Sequence, residues 1–154
     1  MENKYFKKPN IHKVLAHSYA VYLILFLVSI CLDFVFRIKI LSSPVMIEIG
    51  FFVLILATLL ILWAQKTSHD LRKIQEVKME HFCRGPYCYT RSPTHWGLFF
   101  LMLGFGIIAN AFFTIICTII AFLITRFIFL DKEEKMLEQK YGAPYIEYKK
   151  KVQL

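Results

Sequence analysis

Charge is scarce in this chain. Asp, Glu, Lys and Arg make up 19% of its 154 residues, against about a quarter in a typical soluble domain. Acidic residues are the scarcer sign, 11 against 19 Lys and Arg, which leaves a net charge of +8. Six glycines and five prolines are too few for a collagen-like repeat or a low-complexity chain, and four cysteines are too few for a small disulfide scaffold. What fills the space is apolar: 57% of residues are hydrophobic and the mean hydropathy is +0.51. These values describe an integral membrane protein, and residues 1–154 are short enough to form a single membrane domain.

The charges divide the chain into apolar runs. Tyr19 to Phe36 and Val45 to Trp63 are each interrupted by one carboxylate, Asp33 and Glu48, and each is close to the roughly 20 residues that cross a bilayer core. Arg37, Lys39, Ser42, Ser43 and Pro44 between them read as a tight turn joining an antiparallel helix pair. Trp96 to Leu130 is almost uncharged, and as one helix would be about 52 Å long at 1.5 Å per residue. Asn110 is its natural break, giving a short helix from Trp96 to Ala109, with a start one turn earlier also open, and a full one from Ala111 to Leu130. The expected fold is all-α, with four transmembrane helices. The first run is too long for a signal peptide and no small-residue cleavage site follows it.

Charge sidedness supports that count. Lys4, Lys7, Lys8 and Lys13 precede the first helix. Lys66, Arg72, Lys73, Lys78, Arg84 and Arg91 lie between the second and third, and Lys132, Lys135, Lys140, Lys149, Lys150 and Lys151 follow the fourth. The opposite side holds only Arg37 and Lys39. The positive-inside rule puts both termini and the segment from Ala64 to His95 in the cytoplasm. Basic residues spread over three segments beside a membrane match anionic lipid headgroups rather than nucleic acid. Asp33 and Glu48 fall on the opposite side, within reach of Arg37 or Lys39, and are assigned no catalytic role.

The cytoplasmic segments carry the chemistry. Gly85-Pro86 marks a turn, and Ser92-Pro93 starts a helix with serine as N-cap and proline in the first position. Tyr87, Tyr89, Arg91, His95 and Trp96 surround that start. A helix N-terminus, an arginine and several rings suit a ligand with both an anionic group and a delocalised cation; an interfacial aromatic belt with a snorkelling arginine has the same composition. Glu133 and Glu134 begin a short helix that Gly142 ends, and Pro144 opens a further turn with Tyr145 and Tyr148 on one face. Arg126, at the inner edge of the last membrane helix, either snorkels or holds an acceptor headgroup. Gly104 and Gly106 sit in an apolar run and read as helix packing. Cys83 and Cys88 are spaced unlike a usual zinc knuckle, so His81, Cys83, Cys88 and His95 do not make a metal site, and no metal is expected. Leu71, Ile74 and Phe82 suggest an interfacial helix and Val77 to Glu80 alternate like a strand; the helical reading is preferred.

Gly85-Pro-Tyr-x-Tyr-x-Arg-x-Pro-x-x-x-Gly97, an apolar hairpin, Glu133-Glu134-x-x-Leu137, Tyr141-Gly142 and Tyr145-x-x-Tyr148 together resemble the isoprenylcysteine carboxyl methyltransferase family. The wider group includes the integral-membrane phospholipid methyltransferases. The likeness runs from Gly85 to about Val152; the two earlier helices share only their transmembrane character. It implies methyl transfer from S-adenosylmethionine at the cytoplasmic face to a lipid-like or prenylated acceptor that arrives from the membrane lipid, with no protein partner. By position, Tyr87, Tyr89, Arg91, Pro93, His95 and Gly97 would face the cofactor, Glu133 and Glu134 would close its pocket, and Tyr145 and Tyr148 would form a lid-like tail. Arg126 and Glu134 are the candidate catalytic residues. The family more often has His at the position of Ser92, Tyr at that of His95, and arginines at those of Phe129 and Asp131. Two other readings remain open: a non-catalytic membrane scaffold that has lost the cofactor through Ser92, and a reductase using a nicotinamide cofactor.

Overall fold

In the computed structural model the described residues are 11–39, 43–72 and 78–152, with backbone alone for residues 11–15 and 72. Lys4, Lys7, Lys8, Ser42, Lys73, Ile74 and Val77, invoked above, lie outside those described, and Lys13 and Arg72 have no described side chain. The elements are α1 (Ile11–Phe36), α2 (Pro44–Arg72), the single turn α3 (Met79–Phe82), a 3-10 turn (Gly85–Cys88), α4 (Pro93–Ile108) and α5 (Phe112–Ile124). A π-helical turn (Thr125–Phe129) joins α5 to α6 (Leu130–Tyr141), and α7 (Ala143–Lys151) ends the described chain. No strand occurs among the described residues, so Met79 and Glu80 belong to a helical turn; Leu71 belongs to α2, separate from Phe82.

The protein is an all-α integral membrane protein. Three helical stretches, Ala16–Phe36, Pro44–Leu71 and Phe112–Tyr141, are long and apolar enough to cross a bilayer, and Pro93–Ile108 is a shorter apolar helix. Burial is inverted relative to a soluble protein. Leu23, Ile24, Leu27, Phe52, Ile55, Leu59 and Phe127 are exposed, whereas Ser18, Ser29, Thr114, Thr118 and Thr125 are almost wholly buried. Where lipid is the solvent, apolar burial no longer drives association, so close packing and hydrogen bonds between helices take that role.

Those two forces select the helix partners. The tight turn between α1 and α2 predicts that they pair, but α2 packs on α4 and α1 on α5, and α1 and α2 scarcely meet. Gly50, Ala57 and Ala64 recur every seven residues along one buried face of α2. Gly97 and Gly104 recur likewise on α4, where an added Cβ would lie 2.4 Å from Ile61 and 3.1 Å from the Gly50 carbonyl oxygen, respectively. Gly106 turns instead toward Thr114 and Ile115 of α5, so Gly104 and Gly106 serve helix packing on two sides. Between α1 and α5, Ser29 Oγ and Thr114 Oγ1 share a hydrogen bond of 3.2 Å, and the Thr125 hydroxyl lies 3.0 Å from that of Tyr22.

The break at Asn110 holds, with Asn110 in the left-handed region at φ 51°. The helix that follows opens on Ala111, which has no capping side chain. Asp33 supplies the cap from α1: its carboxylate accepts the N–H of Phe113 at 2.9 Å and the N–H and hydroxyl of Thr114 at 2.8 Å each. The expectation that Asp33 or Glu48 pairs with Arg37 or Lys39 is therefore corrected; no such ion pair occurs among the described residues. Helix N–H groups that would otherwise be orphaned, together with the positive end of the helix dipole, compete better for Asp33 than a solvated cation does.

Asp33→Ala is expected to lower stability by about 2 kcal/mol, the upper end for a lost helix cap, while Asp33→Asn retains part of it. Denaturant titration in detergent, followed by helical circular dichroism, measures both.

Candidate functional site

One end of the bundle gathers the N-terminal part of α1, the end of α2, the start of α4, and α6 with α7. There they enclose a cavity of about 810 Å³ lined in part by Tyr19, Gln65, His69, Tyr87, Arg91, Ser92, Pro93, His95, Glu133, Tyr145 and Tyr148. This volume lies within the usual range for a small-ligand site.

Each wall has a local cause. Gly85, at φ +56°, lies against Trp63 and Thr67 of α2, where a Cβ would meet the Thr67 hydroxyl at 2.8 Å; this close approach holds the 3-10 turn to α2. The chain then enters α4 through Ser92 and Pro93 as the sequence predicts, but the Ser92 side chain makes no capping hydrogen bond. The Ser92 N–H is instead donated to Thr90 Oγ1 at 3.3 Å. At the far wall Gly142 ends α6 at φ +65°, donating its N–H to the Glu138 carbonyl at 2.9 Å, and Pro144 lies in the first turn of α7. This reversal lays Tyr145 and Tyr148 on Phe82, with ring centroids 5.5 and 5.6 Å away. The Tyr148 hydroxyl donates to the Tyr87 carbonyl at 2.6 Å, tying the tail to the turn before α4.

The electrostatic centre is a buried carboxylate, Glu134, paired with the partly buried Arg91. Arg91 Nη1 lies 2.8 Å from Glu134 Oε1, and Glu134 Oε2 lies 2.8 Å from Lys149 Nζ, which also reaches Glu138 at 2.9 Å. Glu134 is only 4% exposed. The two adjacent glutamates thus differ: Glu134 grips Arg91 and Lys149, whereas Glu133 lines the cavity. Leu130 ends the apolar part of this long helix, and Glu133 stands in the charged turn beyond it. Burial, reinforced by the charge of Glu134, pushes the Glu133 carboxyl from 4.5 up to about 7. Burial likewise raises the Tyr145 and Tyr148 phenols, which stay neutral.

The other expected positions are distributed unequally. Tyr87, Arg91, Pro93, His95 and Glu133 meet at the cavity, as do Tyr145 and Tyr148. Tyr89 is 77% exposed and Gly97 packs on Ile61 of α2; neither lines the cavity. His95 is buried, its Nε2 sharing a hydrogen bond of 3.3 Å with Ser18 Oγ and its ring stacked on Tyr22. Arg126 occupies the π-helical turn behind the cavity. Burial and the neighbouring Cys83 raise the Cys88 thiol to about 11, and no three His, Cys, Asp or Glu residues gather as a metal site among the described residues. Sequence reasoning missed Lys149, whose role depends on a fold-back after Gly142, and Gln65, Ser68 and His69, whose signal was a polar run continuing the α2 helix past Trp63.

A membrane-embedded bundle with a roomy, mixed aromatic and charged cavity at its polar end has the architecture of an enzyme that works beside lipid. A family model described as phospholipid methyltransferase matches residues 45–144, which is well over half of the chain. The protein belongs to that family, an integral-membrane group of methyltransferases acting on lipid-like substrates. No curated protein and no solved structure matches it. The matched stretch begins in α2, ahead of the Gly85 at which the motif resemblance starts, and stops before Tyr145 and Tyr148. Inclusion of α2 agrees with its packing on α4 and its contribution to the cavity wall.

Glu134→Ala is expected to cost about 2 kcal/mol or more, because it removes the carboxylate that pairs with the partly buried Arg91 guanidinium and with Lys149. Lys149→Ala, at a more exposed side chain, is expected to cost about 1 kcal/mol or less. Unfolding of both variants in detergent checks the order.

Proposed function

We propose that the protein transfers a methyl group from S-adenosylmethionine to a lipid-like acceptor at the cytoplasmic membrane face, with both termini in the cytoplasm. The observation that carries this reading is the convergence of Arg91, Glu133 and five tyrosines, Tyr19, Tyr87, Tyr141, Tyr145 and Tyr148, on one cavity of about 810 Å³. The orientation rests on the basic residues Lys66, Lys78, Arg84 and Arg91 and those from Lys132 to Lys151 lying at the cavity end of the bundle.

The donor set fits such a cofactor. It supplies a methyl group on a positively charged sulfur, already activated, so the protein needs chiefly to position it and exclude water. The faces of Tyr87, Tyr145 and Tyr148 suit a sulfonium. Glu133, whose carboxyl ionises near 7 when the cavity is otherwise uncompensated, suits a cationic group. Arg91, at the mouth of α4 and oriented by Glu134, suits a carboxylate, with the first N–H groups of α4 beside it. Pro93 and His95 form the adjoining wall, and Tyr148, hydrogen-bonded to Tyr87, fastens the tail over it. Glu134 acts through Arg91. No general base is required of the donor side, and none of the buried phenols is poised to serve as one.

Calorimetric titration of the detergent-purified protein with S-adenosylmethionine and with its demethylated product tests the reading, with a reduced nicotinamide cofactor as control. Saturable binding of the first two, weakened at least tenfold by Arg91→Ala, is expected. Folded protein that binds neither would instead be a scaffold.

The pH dependence has a definite sign. The Glu133 carboxyl is neutral below about 7 and anionic above it. Binding of the sulfonium donor should therefore strengthen from pH 6 to pH 8, and Glu133→Gln should flatten that rise. In the ligand-free protein the same raised value favours the folded state below pH 4.5, and this contribution is lost as pH rises through about 7. Melting temperatures across this range check that second sign.

A further inference from the structure

Two cysteines behind the cavity wall have no part in methyl transfer. Cys83 is the residue on which α3 ends, and Cys88 is the last residue of the 3-10 turn. The backbone between them doubles back. Gly85 stands in the left-handed region at φ +56°, the Tyr87 N–H is donated to the Arg84 carbonyl at 3.3 Å, and the Tyr89 and Thr90 N–H groups both reach the Pro86 carbonyl at 3.2 Å. These turns bring the two thiols within hydrogen-bond reach of each other. Both cysteines are free and half-buried, open to a small reagent. Thiols already in contact need only a short approach to reach the S–S distance of about 2 Å.

Covalent structure links the pair to the cavity. Cys88 follows Tyr87, whose carbonyl accepts the Tyr148 hydroxyl at 2.6 Å, and that carbonyl shares a peptide plane with the Cys88 nitrogen. Cys83 follows Phe82, the buried ring on which Tyr145 and Tyr148 pack. Both thiols lie near enough to the Tyr148 phenol to act on it electrostatically. Because a peptide unit is rigid, drawing Cys88 toward Cys83 carries the Tyr87 carbonyl with it. A hydrogen bond weakens steeply once its length or angle is spoiled, so the contact that fastens α7 over the cavity is the one most exposed to such a movement.

We propose that Cys83 and Cys88 form a thiol–disulfide exchange site for low-molecular-weight disulfides, and that closing the bond between them releases the Tyr148 latch on the cavity. Cys83, as thiolate, attacks one sulfur of the incoming disulfide, forming a mixed disulfide and expelling a thiolate. Cys88 then gives its proton to water and attacks the Cys83 sulfur, which closes the intramolecular bond and expels the second thiolate. The two expelled thiolates take up the two protons lost, so two protein thiols are oxidised and one disulfide is reduced to two thiols. Burial and the neighbouring Cys83 keep the Cys88 thiol protonated, which leaves the first attack to Cys83, and the Lys151 charge that reaches Cys88 assists the second. On the cytoplasmic side assigned above, structural disulfides are rare and the pairs that form are transient and redox-sensing. The effect on donor binding rests on the methyl-transfer reading, whereas bond formation and release of α7 stand apart from it.

Redox equilibration of the full-length protein in detergent tests both halves. In a Cys31→Ala, Cys117→Ala background the pair are the only thiols; should that background not fold, peptide-mapped alkylation of the unsubstituted protein reads the same two residues. Against mixtures of oxidised and reduced glutathione, alkylation and intact mass are expected to show a monomer with no free thiol and two hydrogens lighter, reversed by excess reduced glutathione. Cys88→Ser should stop at a mixed disulfide on Cys83. Hydrogen exchange then reads the latch: amides of α7 should exchange about fivefold faster in the oxidised form, the effect of one lost hydrogen bond, and not in Cys88→Ser under the same mixture. Thiols that stay reduced, or that stop at mixed disulfides with both cysteines present, overturn the exchange site. A closed disulfide with unchanged α7 exchange overturns the release. Titration of both forms with S-adenosylmethionine separates the two readings. Weaker donor binding by the oxidised form supports the link to the cavity and equal binding overturns it, while no binding by the reduced form counts against the methyl-transfer reading alone, with the exchange rates still deciding the site.

Discussion

The functional end of this molecule depends on the Glu134 carboxylate. It joins three segments that the membrane helices alone would leave independent: the turn entering α4 through Arg91, the helix α6 on which it stands, and the tail helix through Lys149. A buried carboxylate stays buried only when its charge is met, so Glu134 holds Arg91 and is held by it. The cavity wall from Tyr87 to His95 and the wall from Glu133 to Tyr148 are fixed relative to each other as a result. Around that pair the aromatic packing of Phe82, Tyr145 and Tyr148 adds area, and the Tyr148 to Tyr87 hydrogen bond adds direction.

The other end of the bundle solves a comparable problem with the same kind of group. A helix starting at the end of the bundle away from the cavity, among membrane-spanning helices, has few water molecules for its first N–H groups, and Asp33 supplies the acceptors from a neighbouring helix. Between the two ends, packing relies on glycine, alanine, serine and threonine, because large apolar side chains gain nothing by leaving lipid. Carboxylates at both ends and small residues between them set the register of α1 against α5 and of α2 against α4.

Much of this was legible from the residues. The apolar runs, the break at Asn110, the helix entering through Ser92 and Pro93, and the stop at Gly142 all follow from local chemistry, and the structure has each of them. The convergence of Tyr87, Arg91, His95, Glu133, Tyr145 and Tyr148 was legible as order along the chain plus a hairpin between the two motifs. What escaped was partnership across helices. Asp33 was read against nearby Arg37 and Lys39, yet its partners are Phe113 and Thr114; α1 was read against α2, yet it packs on α5. A short connection brings helices near each other, but small-residue faces and unmet N–H groups decide which of them touch.

Composition by itself determined that the chain is an all-α membrane protein, because apolar run length acts locally and needs no partner. Tertiary structure alone decided which of two adjacent glutamates meets the cavity and which meets Arg91. An α-helix turns by about 100° per residue, so Glu133 and Glu134 necessarily point different ways. The extra residue in the Thr125–Phe129 turn shifts every later side chain around the helix axis. Which direction faces the cavity is then set by where α4 and α7 pack, and no local feature of the sequence encodes that.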